Sequence, residues 1–211
     1  NIRSGQAWFE DEDLFQLSDA ARTRYRGRDI GMIFQDPMTS LNPTMTIGQQ
    51  IAEPLRVHRG LSPSAALESA IDLLKRANIP EAERRSSQYP FEFSGGMLQR
   101  AMIAQAMACS PKLLIADEPT TALDVTIQAQ ILALMSELKE RLDMAIILIT
   151  HDLAVVAKMA DRVCVMYAGQ IVERGSAEDI FYRSRHPYTL GLKQAMPSRS
   201  LSRESKLAPI P

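Results

Sequence analysis

The run Lys112-Leu113-Leu114-Ile115-Ala116-Asp117-Glu118-Pro119 constrains this 211-residue chain more than any other feature. Its apolar residues are continuous rather than alternating, so both faces suit burial, as in a strand between helix layers of a parallel sheet. The run then closes on two carboxylates and a proline. Ligands of open α/β sheets sit at the carboxyl ends of strands. A carboxylate there can hold a hard Mg2+ ion, directly or through water, while the next residue polarises a water molecule. Taken alone, an Asp-Glu pair more often means a strand ending in two solvated acids. The apolar residues before it and Pro119 after it narrow that choice.

The surrounding segments extend the pattern. Thr126 to Leu142 predicts an amphipathic helix with Ile127, Ile131, Leu134 and Leu138 on one side. Ala145 to Thr150 predicts a second buried strand. Strand, helix, strand implies a right-handed crossover between parallel neighbours, and the fold class is α/β with a mostly parallel sheet. Upstream, Gln6 to Phe9 and Asp29 to Phe34 predict short strands, with Ser18 capping a helix around Asp19 to Tyr25. Gln35-Asp36-Pro37 ends the second of them. Downstream, Arg162 to Tyr167 and Gln170 to Arg174 flank Ala168-Gly169, a two-residue hairpin turn at the edge of the sheet.

From Thr46 to about Ala108 the character is helical. Ser62-Pro63 serve as N-cap and first helical residue ahead of Leu67, Ala70, Ile71 and Leu74, and Pro80 closes the exit. The expected division is a core from residues 1–45 and 109–175, a helical subdomain over 46–108, and a carboxyl-terminal tail over 176–211. The tail from Ser198 onward is rich in Ser, Arg and Pro and predicts poor order.

Composition limits the function classes. Hydrophobic residues make up 45% of the chain, enough for one sizeable core. Lys plus Arg number 24 against 25 Asp plus Glu, so no strong field draws the chain to nucleic acid. The longest apolar stretches fall far short of the roughly 18 residues a spanning helix needs, so a membrane role is peripheral. Cys109 and Cys164 lie in apolar segments without metal-ligand spacing, which predicts reduced core residues of a cytosolic protein. The start, Asn1-Ile2-Arg3, has neither an initiator Met nor a signal pattern and reads as internal.

Three further features carry chemistry. Phe93-Ser94-Gly95-Gly96-Met97-Leu98-Gln99-Arg100 opens a helix in which Ser94 can cap, and the two glycines let a phosphate approach the free amides. By itself that pattern is usually an ordinary capped turn. His151 follows the strand Ala145 to Thr150, where an imidazole can bond a terminal phosphate oxygen and orient water. A lone His there is more often structural. Gln35 follows the strand ending at Phe34, and its amide can both accept from metal-bound water and donate to phosphate.

In this order, Gln35, Ser94-Gly95-Gly96, Asp117-Glu118 and His151 resemble the Q-loop, signature, Walker B and switch-histidine motifs of ABC ATPases. Thr121-Ala122-Leu123-Asp124 is similar to that family's D-loop. The stretches Met32 to Pro43 and Asp124 to Gln130, with His186-Pro187-Tyr188-Thr189, resemble the oligopeptide and dipeptide importer branch. The resemblance implies a P-loop NTPase core of RecA-like type and two ATPase subunits sandwiching two ATP molecules. Ser94, Gly95, Gly96 and Gln99 would reach the γ-phosphate bound on the opposing subunit. Asp117, with Gln35, would support Mg2+, Glu118 would act as general base, and His151 would stabilise the terminal phosphate. Asp124 would cross the dimer interface. Gln35 would couple chemistry to two transmembrane permease subunits, fed by a solute-binding protein, at the cytoplasmic face of the inner membrane.

The chain departs from the family in one place. None of its ten glycines is followed by Lys, so the phosphate-loop pattern G-x-x-x-x-G-K-[ST] is absent. In the family that loop precedes the region where this chain starts, so the expectation is truncation, with the first strand, phosphate loop and first helix missing. The end at Leu207 to Pro211 is expected to be cut as well, and a degenerate subunit is the alternative. The resulting expectation for these 211 residues is weak ATP binding, marginal stability and no hydrolysis. Rival readings are an importer for nickel or another small solute, and a non-catalytic interaction domain of the same fold. A DNA-repair or chromosome ATPase fits less well, because the middle region is short and lacks heptads.

Overall fold

A computed structural model describes residues 4–121 and 123–194. The chain divides into two compact units, one through Ile149 and one from Thr150.

The first unit opens with β1 (Trp8–Phe9) and β2 (Glu12–Asp13), a small antiparallel hairpin where the sequence predicted a single strand over Gln6 to Phe9. Asp13 is the reason: its Oδ1 accepts from the backbone N–H of Ala7 and Phe15, folding the chain back on itself. Helix α1 (Asp19–Tyr25) follows, with the Ser18 hydroxyl accepting from Ala21 N–H as expected of a cap. Then come β3 (Ile30–Ile33) and a short helix α2 (Pro37–Ser40), which Asp36 caps by accepting from Met38 N–H at 2.9 Å.

The helical stretch comprises α3 (Ile47–Arg59), α4 (Pro63–Arg76), α5 (Ala82–Ser86), a 3₁₀ turn over Pro90–Glu92, and α6 (Gly95–Ala106). Thr46 and Gln49 form a reciprocal capping box at the start of α3. Pro54 lies inside α3 and has no N–H for the carbonyl of Gln50. Gln105 of α6 supplies the missing donor, its Nε2 lying 3.3 Å from that oxygen. The α4 cap is Ser62 with Pro63 at the first turn, but the helix stops at Arg76, ahead of Pro80, because Asn78 turns into the left-handed region at φ 56°.

Next are β4 (Leu113–Asp117), α7 (Val125–Leu142) and β5 (Ala145–Ile149). The sheet order is β3-β4-β5, parallel throughout. Leu114 and Ala116 of β4 and Ile33 of β3 are buried. Gly31 is required on that face: a Cβ there would stand 2.6 Å from the Ala106 carbonyl oxygen of α6. The expectation of a fully buried β5 is corrected, since its residues alternate between exposed and half-buried. β5 stands at the outer end of this sheet order, and Ile147 and Ile149 are about half exposed (51% and 47%) on the face away from Ile33 and Leu114.

The second unit holds α8 (Leu153–Met159), β6 (Arg162–Tyr167), β7 (Gln170–Ser176), α9 (Ala177–Tyr182) and α10 (Pro187–Gln194). Ala168 and Gly169 both take positive φ, 47° and 79°, the geometry of a primed hairpin turn. Among the described residues β6 pairs antiparallel with β7. Cys164 is a second correction: Cys109 is buried, but Cys164 is exposed on β6, where Val165 beside it takes the buried position. The expectation for residues from Ser198 onward lies outside the described residues.

Candidate active site

Parallel register builds the centre of the site. Ile33 of β3 pairs with Ala116 of β4. Two residues further on, each strand delivers its polar group: Gln35 from β3 and Glu118 from β4. The Gln35 amide Nε2 donates to Glu118 Oε2 at 2.8 Å, across 83 positions of sequence. Asp117 is the last residue of β4 and is half-buried.

Glu118 turns sharply out of the strand. Its φ is 45°, a left-handed conformation uncommon for a residue with a Cβ. Its own N–H donates to the Ile149 carbonyl at 2.9 Å, which anchors the turn to the end of β5. Such outliers concentrate where the surrounding structure fixes a functional group. Thr121 closes the turn with its N–H on the Glu118 carbonyl at 3.1 Å, and its hydroxyl donates to Glu118 Oε2 at 2.8 Å. Sequence reasoning assigned no individual role to Thr121. The signal was present, a hydroxyl three positions after a carboxylate, but that spacing is commonplace.

The start of α6 is exposed at Ser94 and Gly95 and half-buried at Gly96. Ser94 holds the N-cap position with extended backbone, yet its hydroxyl makes no capping bond, correcting the expected cap. The first amides of a 12-residue helix are therefore left without a side-chain acceptor, a setting that suits an anion. A Cβ on Gly95 would meet nothing within 4 Å, whereas one on Gly96 would stand 3.0 Å from Ile127 Cγ2 of α7. Asp124 caps α7, its Oδ1 accepting from Ile127 N–H at 2.9 Å. Arg100 ties the two helices further, donating to Gln130 Oε1 at 2.9 Å and to the Ala77 carbonyl at 3.0 Å. Gln99 is placed differently from its neighbours: it is buried at 3% exposure, and its Nε2 has no hydrogen-bond partner in the structure.

Thus Gln35, Asp117 and Glu118 gather at the ends of β3 and β4, while Ser94, Gly95, Gly96 and Asp124 gather at the starts of α6 and α7. His151 belongs to the second unit, two positions after β5 ends. Among the described residues no three His, Cys, Asp or Glu side chains cluster as a metal-binding group. The Asp117 carboxylate and the Gln35 amide oxygen are nonetheless the hard oxygen donors that Mg2+ takes, alongside water and phosphate.

A family profile described as "ABC transporter" matches residues 1–121 of the 211. The oligopeptide transport ATP-binding protein OppD of Bacillus subtilis is 58% identical over 210 residues, covering 100% of this chain and 59% of the relative. The dipeptide transport ATP-binding protein DppD of the same organism is 52% identical, covering 99% of this chain and 62% of the relative. The chain thus spans about three-fifths of the length of these curated relatives. Among solved structures, the ATP-binding cassette MJ0796 in a dimeric, post-hydrolysis state bound to ADP and Pi is 29% identical. It superimposes with a TM-score of 0.74 over 83% of this chain and 74% of its own. The strand-end pair Gln35–Glu118, the glycine-led helix and these likenesses agree: the chain belongs to the ABC transporter family, with the α/β fold of its ATP-binding cassettes.

Proposed function

We propose that the chain belongs to the ATP-binding and hydrolysing subunit that energises an ABC importer for di- or oligopeptides. One observation carries the reading: Gln35 and Glu118, delivered by neighbouring parallel strands, meet at 2.8 Å at the carboxyl ends where such sheets bind ligands. The peptide substrate is supported by the names of the relatives, which are oligopeptide and dipeptide transport proteins.

Within that reading Asp117 and Gln35 would hold Mg2+, which would offset charge developing on the phosphates of ATP. Glu118 would accept a proton from the attacking water, and His151 would donate to the terminal phosphate. Ser94, Gly95 and Gly96 would present helix amides to the nucleotide of an opposing subunit, and Asp124 would lie at the same interface. Gln99 joins them only after turning out of its buried position. Dimerisation is supported by the dimeric MJ0796 cassette. Among the described residues no helix is long and apolar enough to cross a membrane. Attachment to two permease subunits at the cytoplasmic face, with a solute-binding protein upstream, completes the proposal.

The test is Glu118→Gln in the full-length gene product. ATP hydrolysis falls by about 10² to 10⁴, the contribution of a positioned general base, while ATP binding persists. Normal hydrolysis by that variant refutes the assignment, and absence of ATP-dependent peptide uptake by the unaltered complex refutes the substrate class. Residues 1–211 alone, which contain no Gly-Lys pair to grip the β and γ phosphates, are expected to bind ATP weakly and hydrolyse none. Micromolar affinity in calorimetry contradicts that expectation.

A further inference from the structure

Two donors meet on one oxygen of Glu118. Gln35 Nε2 and Thr121 Oγ1 each lie 2.8 Å from Oε2. Their origins differ. Gln35 arrives from the end of another strand, so its bond depends on how β3 and β4 end relative to each other. Thr121 lies three positions downstream in the same turn, which its own N–H closes on the Glu118 carbonyl at 3.1 Å. The hydroxyl therefore travels with the carboxylate it holds.

A glutamate side chain has three torsions, and its backbone here sits at φ 45°, so nothing in strand geometry aims it. We propose that Thr121 is a positioning residue for the general base, its hydroxyl keeping Glu118 aimed. The inference rests on Glu118 being that base. Residue 121 is exposed, so a threonine is not needed there for packing.

The test compares Thr121→Val, Thr121→Ser and Glu118→Gln in the full-length ATPase, reading kcat and KM for ATP. Thr121→Val is expected to lower kcat by about tenfold, the scale of one lost bond to a charged group, with KM unchanged. Thr121→Ser, which keeps the hydroxyl, restores kcat. If Glu118→Gln is inactive yet Thr121→Val matches the unaltered enzyme in kcat, the role of Thr121 is refuted and that of Glu118 stands. A Thr121→Ser variant as impaired as Thr121→Val also refutes it. If Glu118→Gln hydrolyses ATP normally, both assignments fall together.

Discussion

Gln35 stands 2.8 Å from Glu118 because each lies two positions beyond a registered pair, Ile33 opposite Ala116. Gln35→Glu replaces the donor with a second negative charge, and is therefore expected to lower ATPase kcat in the full-length protein, since like charges at that distance push the Glu118 carboxylate out of place. An unchanged kcat shows that the two side chains are not neighbours during turnover.

Gly31 and Gly95 separate structural from functional need. Gly31→Ala pushes a methyl against the Ala106 carbonyl oxygen at 2.6 Å, with Leu114 Cδ1 and Pro111 Cγ at 3.3 Å. Overpacking of that kind costs about 1–3 kcal/mol, measurable by urea unfolding. Gly95→Ala meets nothing within 4 Å, so its melting temperature is expected to hold or rise. In the full-length protein its ATPase activity is expected to fall, because the methyl occupies the approach to the helix amides. Unimpaired activity argues against nucleotide contact at Gly95.

Gln105 stabilises α3 from outside. Gln105→Ala leaves the Gln50 carbonyl, deprived of an N–H by Pro54, without its donor, at a cost of about 1–3 kcal/mol. Pro54→Ala restores the helix's own donor and should make Gln105→Ala nearly neutral. A double-mutant cycle of urea midpoints checks this, and strict additivity rules out the coupling.

Asp179 gives unit two a pH response. The Ser176 hydroxyl bond, then the Ser176 N–H, hold its carboxyl below the ordinary value of 3.8, and Arg183 adds a smaller pull. A depressed acid stabilises the fold fully above its unfolded value and loses that contribution as pH falls through the folded one. The Asp179 carboxyl signal in NMR should titrate below 3.8, and Ser176→Ala should move its midpoint upward. No movement excludes the capping box as the cause.

Much of this architecture was legible in the residues. The Ser18 and Ser62 boundaries follow from short polar side chains ahead of apolar periodicity, and local bonds do hold those helix starts. Gln35 and Glu118 were legible as strand ends because each follows an apolar run. Their contact was not, since register between segments 83 positions apart leaves no local trace. The burial of β5 was misjudged for a related reason: an apolar run reports what a strand can bury, whereas its exposure depends on which place it takes in the sheet order. Ser94 misled because a serine before a helix signals a cap whether or not its hydroxyl turns back.

The β3-β4-β5 sheet has one further practical consequence. Register aligns Met32 with Ile115 and Ile147 on the face away from Ile33, and Met32, Phe34, Ile147 and Ile149 are each 40–51% exposed. These oily shoulders flank the very row that ends in Asp117. Preparations of these 211 residues should therefore light up with hydrophobic dyes and clump as they are concentrated, and salt that screens charge will worsen rather than cure it.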